Sequence, residues 1–155
     1  MKLIAHRGNT HGPDEGKENN PDYIDKCLSE GYDAEIDVRY DSLTTVFWLG
    51  HDEPQYKVSW KWMANRAELL WIHCKDITTL HEFTKYEHAG YQYFWHDQDD
   101  FTLTSKNIIW TFPGKPYTPK SILVMPEHNT KIKNLNDLRA VNCLGICSDY
   151  VAHLK

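Results

Sequence analysis

The chain has 155 residues, 41% hydrophobic and 25% charged, with a formal net charge of −5. That length suits one domain with one sizeable core, spanning 1–155, and the composition is that of a globular protein, not a disordered one. The acidic balance and the lack of a long basic run argue against nucleic acid as the partner, yet leave room for a small phosphorylated substrate.

No apolar run approaches the ~20 residues needed to span a bilayer, so no integral membrane segment is expected. Met1-Lys2 leads directly into a strand-like run too short for a signal peptide, which points to the cytoplasm. The four cysteines are Cys27, Cys74, Cys143 and Cys147. Without a secretion signal, reduced thiols are expected. Cys143 and Cys147, with His128 and His153, would supply four zinc donors, but Cys147 reads as a small buried residue of an apolar strand.

In chain order, residues 2–5 form a short apolar strand ending at His6-Arg7-Gly8. The Gly- and Pro-containing stretch 9–19 is a loop. Asn20-Pro21 opens a helix, with Tyr23, Ile24, Cys27 and Leu28 at helical spacing and Gly31 as its stop. A second strand over 32–40 completes a βαβ unit and so predicts a parallel sheet. The run 44–49 is an apolar strand leading to His51. Helices are expected over 58–69 and 77–86, with a short one marked by Leu135, Leu138 and Val141. Further strands are expected over 70–75, 91–95, 107–111, 121–125 and 144–147. Helices thin out after Trp95. A complete eight-fold βα barrel needs ~250 residues, so a barrel of this length must have lost several outer helices.

Alternation along the second strand puts Glu35 and Asp37 on one face. Two carboxylates that close call for a cation between them or a shared proton, and oxygen donors suit Mg²⁺ or Ca²⁺. The rival reading has both facing solvent on an edge strand, but strands of a parallel sheet are usually covered on both faces. His6 and His51 end apolar runs on either side of this pair, as an acid–base couple would. Arg7 is suited to clamp a phosphate, or else to pair with Glu18 or Asp52. His96-Asp97 and Asp99-Asp100 follow the 91–95 strand and read as a solvated loop, since the spacing fails the EF-hand pattern. Glu127 follows the 121–125 strand and could face the same rim. Most of the many aromatic residues should pack the core, with Trp95 and Trp110 candidates for the mouth.

His6-Arg7-Gly8, Glu18-Asn19, Glu35-Ile36-Asp37-Val38 and His51-Asp52, in this order and spacing, resemble the glycerophosphodiester phosphodiesterase family. Ile72-His73-Cys74-Lys75 and Gly145-Ile146-Cys147-Ser148-Asp149-Tyr150 resemble its third and closing strands. The resemblance implies a compact, shortened TIM-type (βα) barrel and a metal-dependent phosphodiesterase. It implies His6 and His51 as the acid–base pair, Glu35 and Asp37 as metal ligands with Glu18 at or beside the metal, and Arg7 and Lys75 as phosphate contacts. His73 stands where the family usually carries an acidic ligand. A neutral imidazole there favours softer ions, which adds Mn²⁺ or Zn²⁺ to the candidates. The family's usual insertion after the second histidine is nearly absent, so the head group of the small phosphodiester stays open, as does the oligomeric state. Two alternatives accompany this reading: a phospholipase D-like lyase giving a cyclic phosphate, and a non-catalytic barrel that binds phosphate esters.

Overall fold

The computed structural model describes residues 1–86, 90–129 and 134–155. The first strand, β1 (Lys2–His6), leads through a loop to α1 (Pro21–Ser29). The Asn20 side chain accepts from the backbone N–H groups of Asp22 and Tyr23, and Pro21 sits in the first turn, where no helical hydrogen bond is lost. β2 (Asp33–Asp41) then returns parallel to β1, with His6 beside Glu35. The chain continues through β3 (Val46–Leu49), β4 (Tyr56–Val58), α2 (Trp60–Ala64), β5 (Leu70–Cys74) and α3 (Ile77–Thr84). The remaining strands are β6 (Gln92–Phe94), β7 (Phe101–Leu103), β8 (Ile109–Thr111), β9 (Ser121–Val124) and β10 (Gly145–Ser148). No helix among the described residues is long and apolar enough to cross a membrane.

The TIM-type (βα) barrel expected from the resemblance does not form. The ten strands make one mixed sheet, curled into a half-barrel, with only three α-helices among the described residues. Its parallel part runs β6-β5-β2-β1-β10-β9-β8. β3 and β4 extend β2 as an antiparallel meander, and β7 pairs antiparallel with β8. Among the described residues no ladder joins β6 to β8. The physical reason lies in the connections. Only residues 112–120 link β8 to β9, and Pro113, Pro116 and Pro119 within them cannot build a crossover helix. From β9 to β10 the described chain forms 3₁₀ turns, Pro126–His128 and Leu135–Ala140, in place of a helix.

Other expectations also change. The helix expected over 58–69 shrinks to α2, because Val58 is taken into β4 and Ser59 becomes the N-cap. The strand expected over 44–49 shortens to β3, because Thr44 and Thr45 (φ 56°) belong to the turn, which is too short for a crossover and so sends β3 back antiparallel to β2. β7, in a stretch where the sequence marks no element, forms because β8 offers it a partner.

Alternation sorts the side chains into two layers. Ala34, Ile36, Val38, Ile72 and Cys74 pack outward with Ile24 and Cys27 of α1 and Phe83 of α3. Ile4, Trp71, Phe94, Trp110, Ile122 and Cys147 fill the inside of the curl. Glu35, level with Trp71, and Asp37 and His73, two residues further along, lie on that same inner side. The apolar plug therefore forms the floor beneath the polar residues at the strand ends.

Candidate metal centre and acid–base site

β2 and β5 are in register, with Asp37 beside His73. Donor atoms of Glu35, Asp37 and His73 all lie within 4.8 Å of one another, and all three residues are buried. His73 Nδ1 is 3.2 Å from Asp37 Oδ1 and 3.8 Å from Glu35 Oε1. On its other side, His73 Nε2 lies 3.4 Å from the carbonyl of His96, and its ring runs near-parallel to those of Phe94 and His96. A carbonyl only accepts, so Nε2 carries the proton. A neutral ring then turns the bare lone pair of Nδ1 toward two carboxylates. That is an acceptor facing acceptors, relieved only by a second proton or by a cation between them. A ligating histidine whose far nitrogen is tied to a backbone carbonyl is a recurrent metal-site arrangement.

Asp37 is clamped from several directions. Its Oδ2 accepts from Asn19 Nδ2 at 2.9 Å, while its own backbone N–H donates to Asn19 Oδ1 at 2.9 Å. Arg7 Nε lies 3.1 Å from Oδ2 and Lys75 Nζ 3.3 Å from Oδ1. Oδ1 nonetheless has charged neighbours without a hydrogen bond of good geometry, so it is buried with an open coordination direction. Burial raises the Asp37 pKa, but the close His73 imidazole and the charges of Lys75 and Arg7 outweigh it, holding the carboxyl well below the usual range. Glu35 goes the other way: burial and the neighbouring Asp37 charge push it up, against the pull of His6, His73 and Arg7. Like charges in one dry site thus split into an ionised carboxylate and one resisting ionisation, which a divalent cation would let ionise together. Two oxygens and one nitrogen fit such an ion.

His6, at the end of β1, is oriented by a residue from the far end of the chain. Its Nδ1 is 2.9 Å from Asp149 Oδ1, just beyond β10, and its Nε2 is 4.0 Å from Glu35 Oε2. Asn9 Nδ2 donates to the same Asp149 oxygen at 2.8 Å. The carboxylate therefore takes the Nδ1 proton and leaves Nε2 as the working nitrogen. Burial disfavours the charged imidazole, but the Asp149 hydrogen bond and the Glu35 charge prevail, and the pKa is raised. Asp149 is correspondingly lowered, with burial outweighed by the His6 hydrogen bond.

Arg7 adopts a left-handed backbone (φ 52°), which aims its N–H at Glu35 Oε2, 3.2 Å away, while its guanidinium reaches Glu18 Oε2 at 3.0 Å. The following Gly8 (φ 90°) has no room for a side chain, since a Cβ would stand 2.9 Å from the Tyr23 ring. Glu18 Oε1 accepts from Asn9 Nδ2 at 2.9 Å. Both Glu18 oxygens are thus engaged away from the Glu35, Asp37 and His73 group. Arg7 forms ion pairs with Glu18, as sequence allows, and with Asp37, which sequence does not suggest.

His51 is half-exposed, and its Nδ1 lies 2.7 Å from Asp52 Oδ1. Arg39 anchors the segment by donating to the carbonyls of Gly50, His51 and Asp52. One cavity of about 470 Å³ gathers His6, Arg7, Glu18, Glu35, Asp37, His51 and His73. Lys75 is outside its lining and reaches the group through Asp37. Of the weaker candidates, His96, Asp99, Trp110 and His128 join the lining. Glu127 instead holds the end of β10, accepting from Ser148 Oγ at 2.7 Å and Asp149 N–H at 3.0 Å. Sequence reasoning misses Asp149, Asn9 and Asn19 as individual site members. Asp149 carries one usable signal: it follows a strand of a parallel sheet, and such sheets carry their sites at the strands' C-terminal ends. No family model, curated protein or solved structure matches the chain.

Proposed function

We propose that the chain is a metal-dependent phosphodiesterase acting on a glycerophosphodiester-like substrate. One observation carries the reading: His6, with Nδ1 engaged by Asp149, shares a cavity with His51 and with a buried two-carboxylate, one-imidazole group whose Asp37 Oδ1 lacks a good hydrogen bond. A divalent ion held by Glu35, Asp37 and His73 would offset charge on the phosphoryl oxygens. Within the chain, one of His6 and His51 takes the proton of the attacking hydroxyl, and the other returns a proton to the departing alkoxide. Asp149 fixes the tautomer of His6, and Asp52 does the same for His51. Arg7 and Lys75 hold Asp37 ionised and place positive charge beside the phosphate site. The phosphodiesterase-like motifs support the same reading. We also place the protein in the cytoplasm, on four unpaired cysteines, three of them buried.

The test is a turnover screen on glycerophosphodiesters, lysophospholipids and an aryl phosphodiester with Mg²⁺, Ca²⁺, Mn²⁺ and Zn²⁺ in turn. Cleavage should require a metal and should fall ~10²–10⁴-fold in both His6→Ala and His51→Ala. Binding of the diester without turnover under every ion would refute the enzyme reading. Phosphorus NMR of the product separates hydrolysis from release of a cyclic phosphate.

A further inference from the structure

The strand ends around the reaction cavity are of two kinds. β1, β2, β5 and β10 bring His6, Asp37, His73 and Asp149 to it, all able to carry charge. β8 and β9 bring Phe112 and Val124. Alternation accounts for the second pair. Trp110 and Ile122, level with each other, point into the floor, and the next inward residues are Phe112, just past β8, and Val124. Pro113 joins them in the lining.

Phe112 is not part of the floor, since it is 46% exposed. Its backbone holds it there. The Phe112 N–H donates to the Asp100 carbonyl at 3.0 Å, and its carbonyl accepts from Lys115 N–H at 3.2 Å. Pro113 and Gly114 (φ 76°) occupy the centre of that turn, the pair a type II turn prefers. Lys115 pairs with Asp100 at 2.6 Å, tying the turn to the start of β7. A ring kept half in solvent by a braced turn, in the same cavity as the Glu35, Asp37 and His73 group, is a preformed apolar wall. Phe112, Pro113 and Val124 have no side-chain hydrogen-bonding group. On the same side, Thr102 Oγ1 donates to the Trp95 carbonyl at 2.8 Å, and Asp99 and His128 are exposed. A polyol laid on this wall would lose hydrogen bonds to water without replacement, whereas an apolar group gains by leaving water.

We propose that one ester arm of the diester bound here is an apolar alkyl or aryl group packed on Phe112, Pro113 and Val124. This rests on the phosphodiesterase reading for the place of the phosphate, beside Glu35, Asp37 and His73, and adds the chemistry of the arm. With the phosphate there, the two arms have unlike surroundings: His51 and Glu18 on one side, Phe112 and Val124 on the other. A glycerol arm suits the first and an apolar arm the second.

Two series test it on the full chain, each with Mg²⁺, Ca²⁺, Mn²⁺ and Zn²⁺ in turn. The first is turnover of glycerophosphodiesters whose second arm is glycerol, ethyl, butyl or benzyl; benzyl supplies an aromatic ring without the better leaving group that a phenol would be. The second is titration calorimetry with ethyl, butyl and benzyl phosphonates, which bind without being cleaved. From ethyl to butyl, kcat/KM and phosphonate affinity should both rise about fourfold per methylene buried, with the glycerol arm below butyl. Phe112→Ser, a change at a half-exposed position, should erase the dependence on the arm, and Phe112→Leu should keep it. Turnover that ignores the arm, or a preference that Phe112→Ser leaves intact, overturns the apolar arm and spares the phosphodiesterase reading. Phosphonate affinity that rises with the arm and is flattened by Phe112→Ser, with no diester turned over, supports the apolar wall and refutes the enzyme. Neither turnover nor phosphonate binding under any ion overturns both.

Discussion

His6 Nδ1 and Asp149 Oδ1 stand 2.9 Å apart although 143 positions separate them in the chain. The parallel pairing of β1 with β10 makes them neighbours, with Ala5 beside Ser148 one residue earlier on each strand. Asp149 touches no substrate position of its own and acts through the ring it holds. Asp149→Ala should therefore lower turnover of an aryl phosphodiester by about 10²-fold or more, within the range an acid–base group contributes. KM should change little, because uniform binding is untouched. A loss confined to KM would remove Asp149 from its positioning role.

The two carboxylates of β2 should respond oppositely to neutralisation in metal-free protein. Asp37 is ionised between Arg7 and Lys75, so Asp37→Asn strands two largely buried cations and should cost about 3–5 kcal/mol. Glu35 resists ionisation through burial and the Asp37 charge, so Glu35→Gln should leave stability equal or higher. Urea unfolding in the presence of a chelator measures both. Titration calorimetry should show weakened divalent-ion binding in each.

The His6–Asp149 pair predicts a stability window in metal-free protein. The folded His6 pKa lies above its ordinary 6.5, so its contribution is complete below 6.5 and is lost as pH rises through the higher folded value. The folded Asp149 pKa lies below its ordinary 3.8, so its contribution is complete above 3.8 and is lost as pH falls through the lower folded value. The stability difference between wild type and Asp149→Ala should be greatest between those limits and shrink on either side. Melting curves across pH that run parallel for the two proteins would contradict this.

Gly50 should be irreplaceable in placing His51. It adopts φ 152°, and a Cβ there would lie 2.0 Å from the carbonyl oxygen of Glu53. Gly50→Ala must shift backbone on one side or the other and should destabilise the chain by more than the ~1 kcal/mol of an ordinary glycine substitution. Because the shifted segment carries His51, turnover should fall beyond what the stability change explains. Thermal midpoint and activity measured on one preparation separate the two effects.

Much of the first half of the molecule is legible in the sequence because its signals are local. Asn20-Pro21 and Gly31 bracket α1, and the spacing of Glu35 and Asp37 commits both to one face of any strand that contains them. The second half is less legible. β7 exists only because β8 pairs with it, and no local pattern marks a three-residue strand. The direction of the 44–49 strand is not written in its residues, because an apolar strand carries no sign of its direction; the short turn at Thr45 decides that. The barrel expectation fails for a reason already written in the chain, since three prolines between β8 and β9 exclude a helix.

By itself the sequence determined the periodicities, the caps, and which residue types end each strand, because these depend on neighbours a few bonds away. Tertiary structure alone decided that Asp149 orients His6, that Arg7 is tied to both Glu18 and Asp37, and that His73 turns Nδ1 toward two carboxylates. Those relations depend on sheet order and register. Order and register are settled by how the whole set of strands buries its inner and outer faces together, which no single stretch of chain encodes.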